Sequence, residues 1–303
     1  MDRLEAMSIL LTVVEAGSLS AAGRRLGVPL ATVSRKVADL ELHLGTRLFN
    51  RTSRRLTPTD AGVTYIAACR RILDNVDEAE RAAAGEFATP KGALVVTAPI
   101  AFGRLHLLPV IAEFLNAYRE IDIRLVMVDR WIDLLEDPVD VALRIGALAD
   151  SALVAIRVGT IRHVTCASPA YLAEHGTPRT LEDLRNRPCV VFQALTTGGQ
   201  WKFSEESITP RTRLTVDTAE AAIDAAVAGV GITRVLCYQA AAAVRAGDLK
   251  VILEDVEPPV MPVSLVHTGE RLLPLKLRAF LDFATPRVKV RLSEATCVFR
   301  QPT

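Results

Sequence analysis

The sequence predicts an α+β multidomain protein: a small helical head closed by a hairpin, one long connecting helix, and two α/β lobes. Three observations predict it. Two short helical patterns flank a tight turn at Gly27-Val28-Pro29. A long helical pattern starts after Thr57-Pro58, where a possible cap, an N1 proline and an acid in the first turn coincide. From Ala93 onward, runs of strand character alternate with helical patterns, as in a parallel or mixed sheet.

The first helix is expected over Leu4–Glu15, with Leu4, Met7, Leu11 and Val14 as its apolar stripe. The second spans about Ser20–Leu26, capped by Ser18 or Ser20. The third spans about Ala31–Leu44. Its Val33, Val37, Leu40 and Leu44 recur at one-face helical spacing, and Thr32, Arg35 and Lys36 lie opposite. Helix, turn and helix with a polar, basic outer face is the plan of a helix-turn-helix DNA reader. Charge agrees: Arg24 to Arg55 carries eight bases and two acids, a local +6 on a chain of net +1. A solvated helix face would explain the charge alone, but not its coincidence with the turn and the helical period. After Gly45, residues Thr46 to Thr57 interleave bases with Leu48, Phe49 and Leu56, which reads as a wing with apolar anchors. The candidate DNA contacts are Ser20, Pro29, Thr32, Ser34, Arg35, Lys36, Arg47, Arg51, Arg54 and Arg55; of these, Thr32, Ser34, Arg35 and Lys36 are expected to face the major groove and Arg51, Arg54 and Arg55 to hold phosphates.

The connecting helix is expected from about Thr59 to Gly85, with Thr57 as N-cap and Pro58 at N1. Ile66, Cys69, Leu73 and Val76 form a short heptad-like seam. Such a seam serves dimerisation or packs on its own chain. Ile66, Leu73 and Val76 are the candidate dimer contacts.

In the first lobe, strands are expected at Ala93–Ala98, Ile123–Val128, Val139–Ile145 and Leu153–Val158, with helices at Arg104–Tyr118 and Trp131–Leu135. A second unit begins near His163, with strands at His163–Ala167, Cys189–Phe192, Arg213–Val216 and Gly231–Arg234. Its helices are expected at Pro169–Glu174, Leu181–Asn186, Thr218–Ala228 and Leu236–Ala246. Strand Val263–His267 and helix Pro274–Ala284 return to the first unit. The tail Pro286–Thr303 reads either as ordered extra structure or as a frayed end.

The sequence resembles the LysR-type transcriptional regulators. The resemblance is carried by MDRLEAM at 1–7, GSLSAA at 17–22, VSRKV at 33–37, LELHLGTRLFNR at 40–51 and LTPTDAG at 56–62. It is dense over roughly the first 60 residues and looser to about Pro286. It implies a winged helix-turn-helix over 1–58, a dimerising linker helix over 59–88, and a two-lobed periplasmic-binding-protein-like effector domain over 89–303. The first lobe would hold about 89–161 and 265–303, the second about 162–264. The resemblance further implies a homodimer or homotetramer on dyad-symmetric double-stranded DNA, a small-molecule effector, and RNA polymerase as a possible partner.

Ligands of open α/β sheets sit outside the carboxyl ends of strands. That rule singles out Ala98, Pro99, Ile100 and Phe102 after the first strand, and Arg144 and Gly146 at another strand end. It adds Thr196 and Thr197 in a polar loop, Thr218 at a helix start beside a possible Asp217 cap, and Arg234. The resemblance implies a Ser or Thr hydroxyl near Pro99 that helps hold the effector in many family members; Pro99 itself offers neither a hydroxyl nor an N–H, which weakens the carry-over of that contact. Arg144 and Arg234 would suit a carboxylate, such as an aromatic or dicarboxylic acid, or would each form a structural ion pair.

Other classes find little support. There is no GxSxG, HExxH, Walker A sequence or GxGxxG after a strand, and the five histidines lack ligand spacing. No catalytic residue, metal or cofactor is expected. Five scattered cysteines form no CxxC, which leaves a redox-responsive regulator as the alternative within the family. No apolar run approaches the ~18 residues that span a bilayer, and the start lacks a signal-peptide core. A cytoplasmic protein without membrane contact is expected. A transport solute-binding protein would need export and would not carry the basic head.

Overall fold

The computed structural model describes residues 2–52, 55–83, 89–129, 139–148, 153–196, 199–269 and 273–299. Two compact units divide the chain. One spans Met1–Gly92, and the main segments of the other are Ala93–Ile132, Val139–Glu270 and Leu277–Thr303.

The first unit begins with α1 (Arg3–Ala16), α2 (Leu19–Leu26) and α3 (Leu30–Leu44). Ser18 caps α2 by accepting from Ala21 N at 3.2 Å, so Ser20 is not the cap. Gly27 ends α2 in the left-handed region at φ 68°, a backbone conformation that favours glycine. Gly23 fits where a Cβ would lie 2.9 Å from the Val28 carbonyl oxygen. α3 buries Val33, Val37 and Leu40, the expected face. The face of α1 differs from expectation: Ala6, Met7, Ile9, Leu10 and Val13 are buried and Leu4 is exposed. Its apolar run leaves several stripes open, and packing against α2, α3 and the later long helix selects one.

The wing is a hairpin of β1 (Phe49–Thr52) and β2 (Arg55–Pro58), paired antiparallel from Phe49↔Pro58 to Thr52↔Arg55. Leu48 and Phe49 anchor it in the head core. Glu41 on α3 fixes its entry, because Oε1 accepts from Leu48 N at 2.8 Å and Phe49 N at 3.2 Å.

α4 runs from Asp60 to Ala83. The expected cap moves by two residues. Thr57 and Pro58 are consumed by the β1–β2 ladder, and Thr59 Oγ1 accepts from Gly62 N at 3.0 Å instead. Part of the expected dimer seam packs on its own chain, the other use the sequence left open. Ile66 and Cys69 are buried in the head's own core, and Leu73 packs against the same cluster. α1 packs against that face of α4. Val76 is half-buried.

The second unit contains two five-stranded sheets. β3 (Gly92–Ala98) leads into a broken helix: α5 (Ile100–Phe102), a π-helical turn (Gly103–Leu107) and α6 (Leu108–Ala117). This stretch, Ile100–Ala117, is long and apolar enough by length and composition to cross a bilayer, against the sequence expectation. Its Phe102, Leu107, Val110, Ile111 and Phe114 are buried in the lobe, which accounts for the apolarity. β4 (Ile121–Met127), β5 (Val141–Ile145) and β6 (Leu153–Ile161) follow; the expected helix at Trp131–Leu135 lies outside the described residues.

The chain then enters the second sheet with β7 (His163–Ala167), α7 (Pro169–His175), α8 (Leu181–Arg185) and β8 (Pro188–Phe192). A small hairpin of β9 (Trp201–Lys202) and β10 (Ser207–Ile208) precedes β11 (Arg211–Val216), α9 (Ala219–Val227), β12 (Ile232–Leu236), α10 (Cys237–Ala246) and β13 (Lys250–Ile252). β14 (Met261–Thr268) returns to the first sheet, four residues ahead of the expected 265, and α11 (Leu275–Thr296) follows.

The first sheet has the order β4-β3-β5-β14-β6, and the second β11-β8-β12-β7-β13. β3 and β5 are parallel, as are β11, β8 and β12. β14 runs antiparallel to β5 and β6, and β7 antiparallel to β12. Two crossings therefore join the lobes, β6 to β7 and β13 to β14.

α11 does not stop before Pro286. It runs on to Thr296 with Pro286 inside it, and Cys297–Phe299 adds a 3-10 turn. The missing N–H of proline is tolerated because Leu277, Phe280, Leu281, Ala284, Val288 and Leu292 bury one continuous face. A Cβ at Gly159 would overlap Leu292, so β6 offers the seat for the last turns.

Candidate functional site

The helix-turn-helix surface is set by α3. With Val33, Val37 and Leu40 buried, Arg35 projects from the outer face and is exposed, while Thr32 and Ser34 flank it half-buried. Pro29, which precedes α3, and Ser20 are exposed. Lys36 departs from the expected arrangement. Its Nζ pairs with Glu5 of α1 and its side chain is only 18% exposed. Position 36 falls on the edge of the buried face, and an acid on α1 stands within reach. Arg47 is exposed ahead of the wing. Arg51 and Arg55 belong to β1 and β2, at ladder positions opposite Leu56 and Thr52. Arg54 lies outside the described residues.

A cleft of 210 Å³ opens between the two lobes. From the first lobe it is lined by Pro99, Val128, Asp129, Leu143, Arg144, Ile145 and Met261. From the second it is lined by His163, Phe192, Ala194, Leu195, Leu236, Tyr238 and Gln239. Pro99 follows β3, Arg144 and Ile145 end β5, Phe192 ends β8 and Leu236 ends β12. The cleft thus lies at the carboxyl ends of parallel strands from both sheets, where open α/β sheets bind ligands.

Its polar groups are few. Arg144 is 8% exposed, and burial pushes its pKa down. Asp129 Oδ1 accepts from Ile100 N at 3.0 Å, tying the end of the β4 segment to the first turn of α5. Burial, helped by the Arg234 charge, lowers His163 to about 4, so its imidazole is neutral near pH 7. Gln239 Oε1 accepts from Leu236 N at 2.8 Å, and its amide donates to the Tyr238 hydroxyl at 3.4 Å. Tyr238 is buried, and its ring meets Phe102 and His106 at centroid distances of 5.2 and 5.5 Å.

Of the residues singled out in the sequence, Pro99 and Arg144 line this cleft. Arg234 does not: it is 2% exposed and forms a forked pair with Glu257, with Nη2 to Oε2 at 2.7 Å. Thr218 accepts from Ala221 N and is the N-cap of α9, the role expected of Asp217. Ala98 and Phe102 are buried beneath the cleft, the Ile100 backbone holds Asp129, and Gly146 N donates to Pro262 O at 2.9 Å. Thr196 turns its hydroxyl back to Gln193 O at 2.8 Å, and Thr197 lies outside the described residues. The polar lining residues that the sequence reading did not single out are Asp129, His163, Tyr238 and Gln239. Asp129 stands two residues past the end of β4 and Tyr238 two past the end of β12, so the strand-end rule could have reached them.

A family model described as the LysR substrate binding domain matches residues 88–289. Another, the bacterial regulatory helix-turn-helix protein of the lysR family, matches residues 4–63. The chain belongs to the LysR family of transcriptional regulators. An HTH-type transcriptional repressor of Pseudomonas aeruginosa is 36% identical over 292 residues, covering 93% of this chain and 91% of the repressor. The structure of CrgA, a LysR-type regulator from Neisseria meningitidis, matches with a TM-score of 0.60 at 31% identity, covering 94% of this chain and 98% of CrgA. The full-length Vibrio cholerae virulence activator AphB matches with a TM-score of 0.58 at 26% identity, covering 93% and 98% of the two chains.

LysR-type regulators carry a DNA-binding head and an effector-binding domain and form oligomers. Among the described residues of this regulator, no group of three or more His, Cys, Asp or Glu could hold a metal ion. Cys69, Cys166, Cys189 and Cys237 are buried and Cys297 is exposed. Burial pushes Cys69 up to about 11 and both Cys166 and Cys189 up to about 12, and it raises Cys237 as well. Those four thiols stay protonated and are poor nucleophiles at neutral pH.

Proposed function

We propose that this LysR-type regulator binds dyad-symmetric promoter DNA as a homo-oligomer and answers to a small organic acid held between its effector lobes. The observation that carries the reading is the inter-lobe cleft at the carboxyl ends of β3, β5, β8 and β12, with the Arg144 guanidinium in its wall. A guanidinium fork suits a carboxylate, and four apolar strand ends suit its carbon body. A ligand that touches both lobes can favour one lobe arrangement over another, but only by its difference in affinity for the two. A tenfold preference is worth ~1.4 kcal/mol, enough to change promoter occupancy.

In this reading residues 1–58 form the DNA-binding domain, 59–88 the linker and 89–303 the effector domain. Thr32, Ser34 and Arg35 read base edges, and Arg47, Arg51, Arg54 and Arg55 hold phosphates. Lys36, paired with Glu5, orients α3 on α1 rather than reading a base. The protein works where the DNA is, in the cytoplasm, with RNA polymerase as the partner its promoter occupancy affects. The redox alternative gains no support from four buried, protonated thiols.

Arg35 tests the DNA half of the reading. Arg35→Ala is expected to cost about 1–3 kcal/mol in operator affinity and to relax specificity at one base position. Competition binding against operators altered one position at a time measures both. Unchanged affinity and an unchanged preference would remove Arg35 from the interface.

A further inference from the structure

We propose a second ligand site, for a phosphate group, in the pocket where α10 of the second lobe meets the π-helical turn and α11 of the first. It stands independently of the cleft as an effector site. The pocket has a volume of 540 Å³ and shares only Tyr238 and Gln239 with the lining of the cleft.

Three guanidinium groups reach this pocket from three elements: Arg104 from the π-helical turn, Arg245 from the last turn of α10, and Arg291 from α11. Their partners decide what each can do. Arg104 is paired with Glu220 on α9 at 2.8 Å. Arg245 and Arg291 have no carboxylate partner among the described residues. Arg245 Nη2 donates to Glu294 O at 3.5 Å and Arg291 Nη2 to Leu105 O at 3.4 Å, both long for a hydrogen bond. Two cations from opposite lobes therefore share one space, where they repel each other. An anion between them replaces that repulsion with two attractions.

A second observation points to the same place. Among the described residues, three buried side-chain polar atoms have no hydrogen-bond partner, and two of them, His106 Nε2 and Arg291 Nε, belong to this lining. Buried polar atoms are nearly always bonded, so two exceptions in one lining mark a place where a partner from outside the chain is accepted. His106 is 6% exposed, and burial with the Arg291 charge lowers it to about 4, so its ring is neutral near pH 7. Both atoms lie beneath the pocket wall rather than on it. Contact with them requires the wall to shift, which ties occupancy to the arrangement of the lobes.

The charge pattern fits phosphate better than a carboxylate. A phosphate monoester carries about −1.5 to −2 charge at pH 7 and three acceptor oxygens, enough for two guanidinium forks approaching from different elements. A single carboxylate has one charge and two oxygens in one plane. Ala241, Ala242 and Ala295 keep the rest of the wall open, and the volume leaves room for the organic part of a small ester.

The test is calorimetry on the full-length chain at fixed ionic strength. The probes are glucose 6-phosphate, ribose 5-phosphate, glycerol 3-phosphate, inorganic phosphate, sulfate and succinate. At least one phosphate probe is expected to bind tenfold or more tightly than sulfate and succinate. An ester that binds more tightly than inorganic phosphate makes the ligand a phosphorylated metabolite, and equal affinity makes it the free ion; either supports the site. Arg245→Gln, at an exposed position, is expected to weaken that probe tenfold or more, while Arg278→Gln, exposed earlier on α11, changes it less than twofold. The ring resonances of His106 are expected to shift on saturation of the wild type and to stay in place in Arg245→Gln. No phosphate probe bound, succinate bound as tightly as phosphate, or equal affinity in Arg245→Gln and Arg278→Gln overturns the proposal. Promoter affinity that falls in Arg245→Gln while no phosphate probe binds also overturns it, and assigns this arginine to the DNA backbone.

Discussion

Removing one partner of the Arg234–Glu257 pair is expected to destabilise the second lobe by about 3–5 kcal/mol. The two side chains are 2% and 3% exposed. Arg234 contacts both Glu257 oxygens, donates from Nη2 to Lys202 O at 2.9 Å, and lies 4.6 Å over the Phe203 ring. Glu257 also accepts from Thr165 Oγ1 at 2.6 Å. The pair thus joins β12, β7, the β9 hairpin and the segment leading back to the first lobe. Glu257→Ala leaves a buried guanidinium with no counter-charge, and Arg234→Ala leaves a buried carboxylate. The cost comes from the stranded charge rather than from the strength of the pair. Replacing both together with apolar residues of similar volume should therefore recover much of the loss. Urea unfolding followed by the fluorescence of Trp201, buried in this lobe, measures it. Single variants that lose less than about 1 kcal/mol would show that water or rearrangement satisfies the remaining charge.

Gly62→Ala is expected to disrupt the DNA-binding head. A Cβ at Gly62 would overlap the carbonyl oxygen of Leu48, a backbone atom that no side-chain rotation can move. The first turn of α4 crosses the chain where it enters the wing. Thr59 secures that crossing by accepting from Gly62 N and donating to Arg47 O at 2.7 Å. Forcing the two backbones apart costs about 1–3 kcal/mol of stability, typical of overpacking. The wing displaces with it, and a tenfold or greater loss of operator affinity is expected from misplaced phosphate contacts. Thermal unfolding of the full chain and anisotropy with an operator fragment read the two effects. A variant with wild-type melting and wild-type affinity would mean that the α4–wing crossing is loose.

The legible parts of this chain were those where local pattern and tertiary packing ask for the same thing. Val33, Val37 and Leu40 form one stripe with polar neighbours on either side, and that stripe is the buried face of α3. α1 offers apolar residues on several faces, so its period could not choose between Leu4 and Leu10; contact with α2, α3 and α4 did. Thr57 and Pro58 are a sound cap signal in isolation, but the wing ladder uses them and Thr59 takes the role. Pro286 is a sound stop signal, but a helix face buried on both sides of it carries α11 past.

The cleft divides in the same way. Pro99 and Arg144 sit at strand ends and were visible as such. Arg144 and Arg234 looked equivalent, since each lies near the end of a strand. What separates them is Glu257, which stands 23 residues beyond Arg234 and reaches it only once the chain has turned back toward the first lobe. His163, Tyr238 and Gln239 line the cleft because the second sheet faces the first across two crossings. That arrangement is a property of topology, and no local spacing encodes it.

The central claim is that occupancy of the inter-lobe cleft controls what the head does on DNA. The direct measurement is binding of the full-length protein to its own promoter fragment, with a panel of small aromatic and dicarboxylic acids added, for the wild type and Arg144→Ala. At least one panel member is expected to shift wild-type promoter affinity tenfold or to alter the footprint. Arg144→Ala should bind the fragment as tightly as the ligand-free wild type and show no response. An Arg144→Ala protein that responds to the same molecule at the same concentration would contradict it.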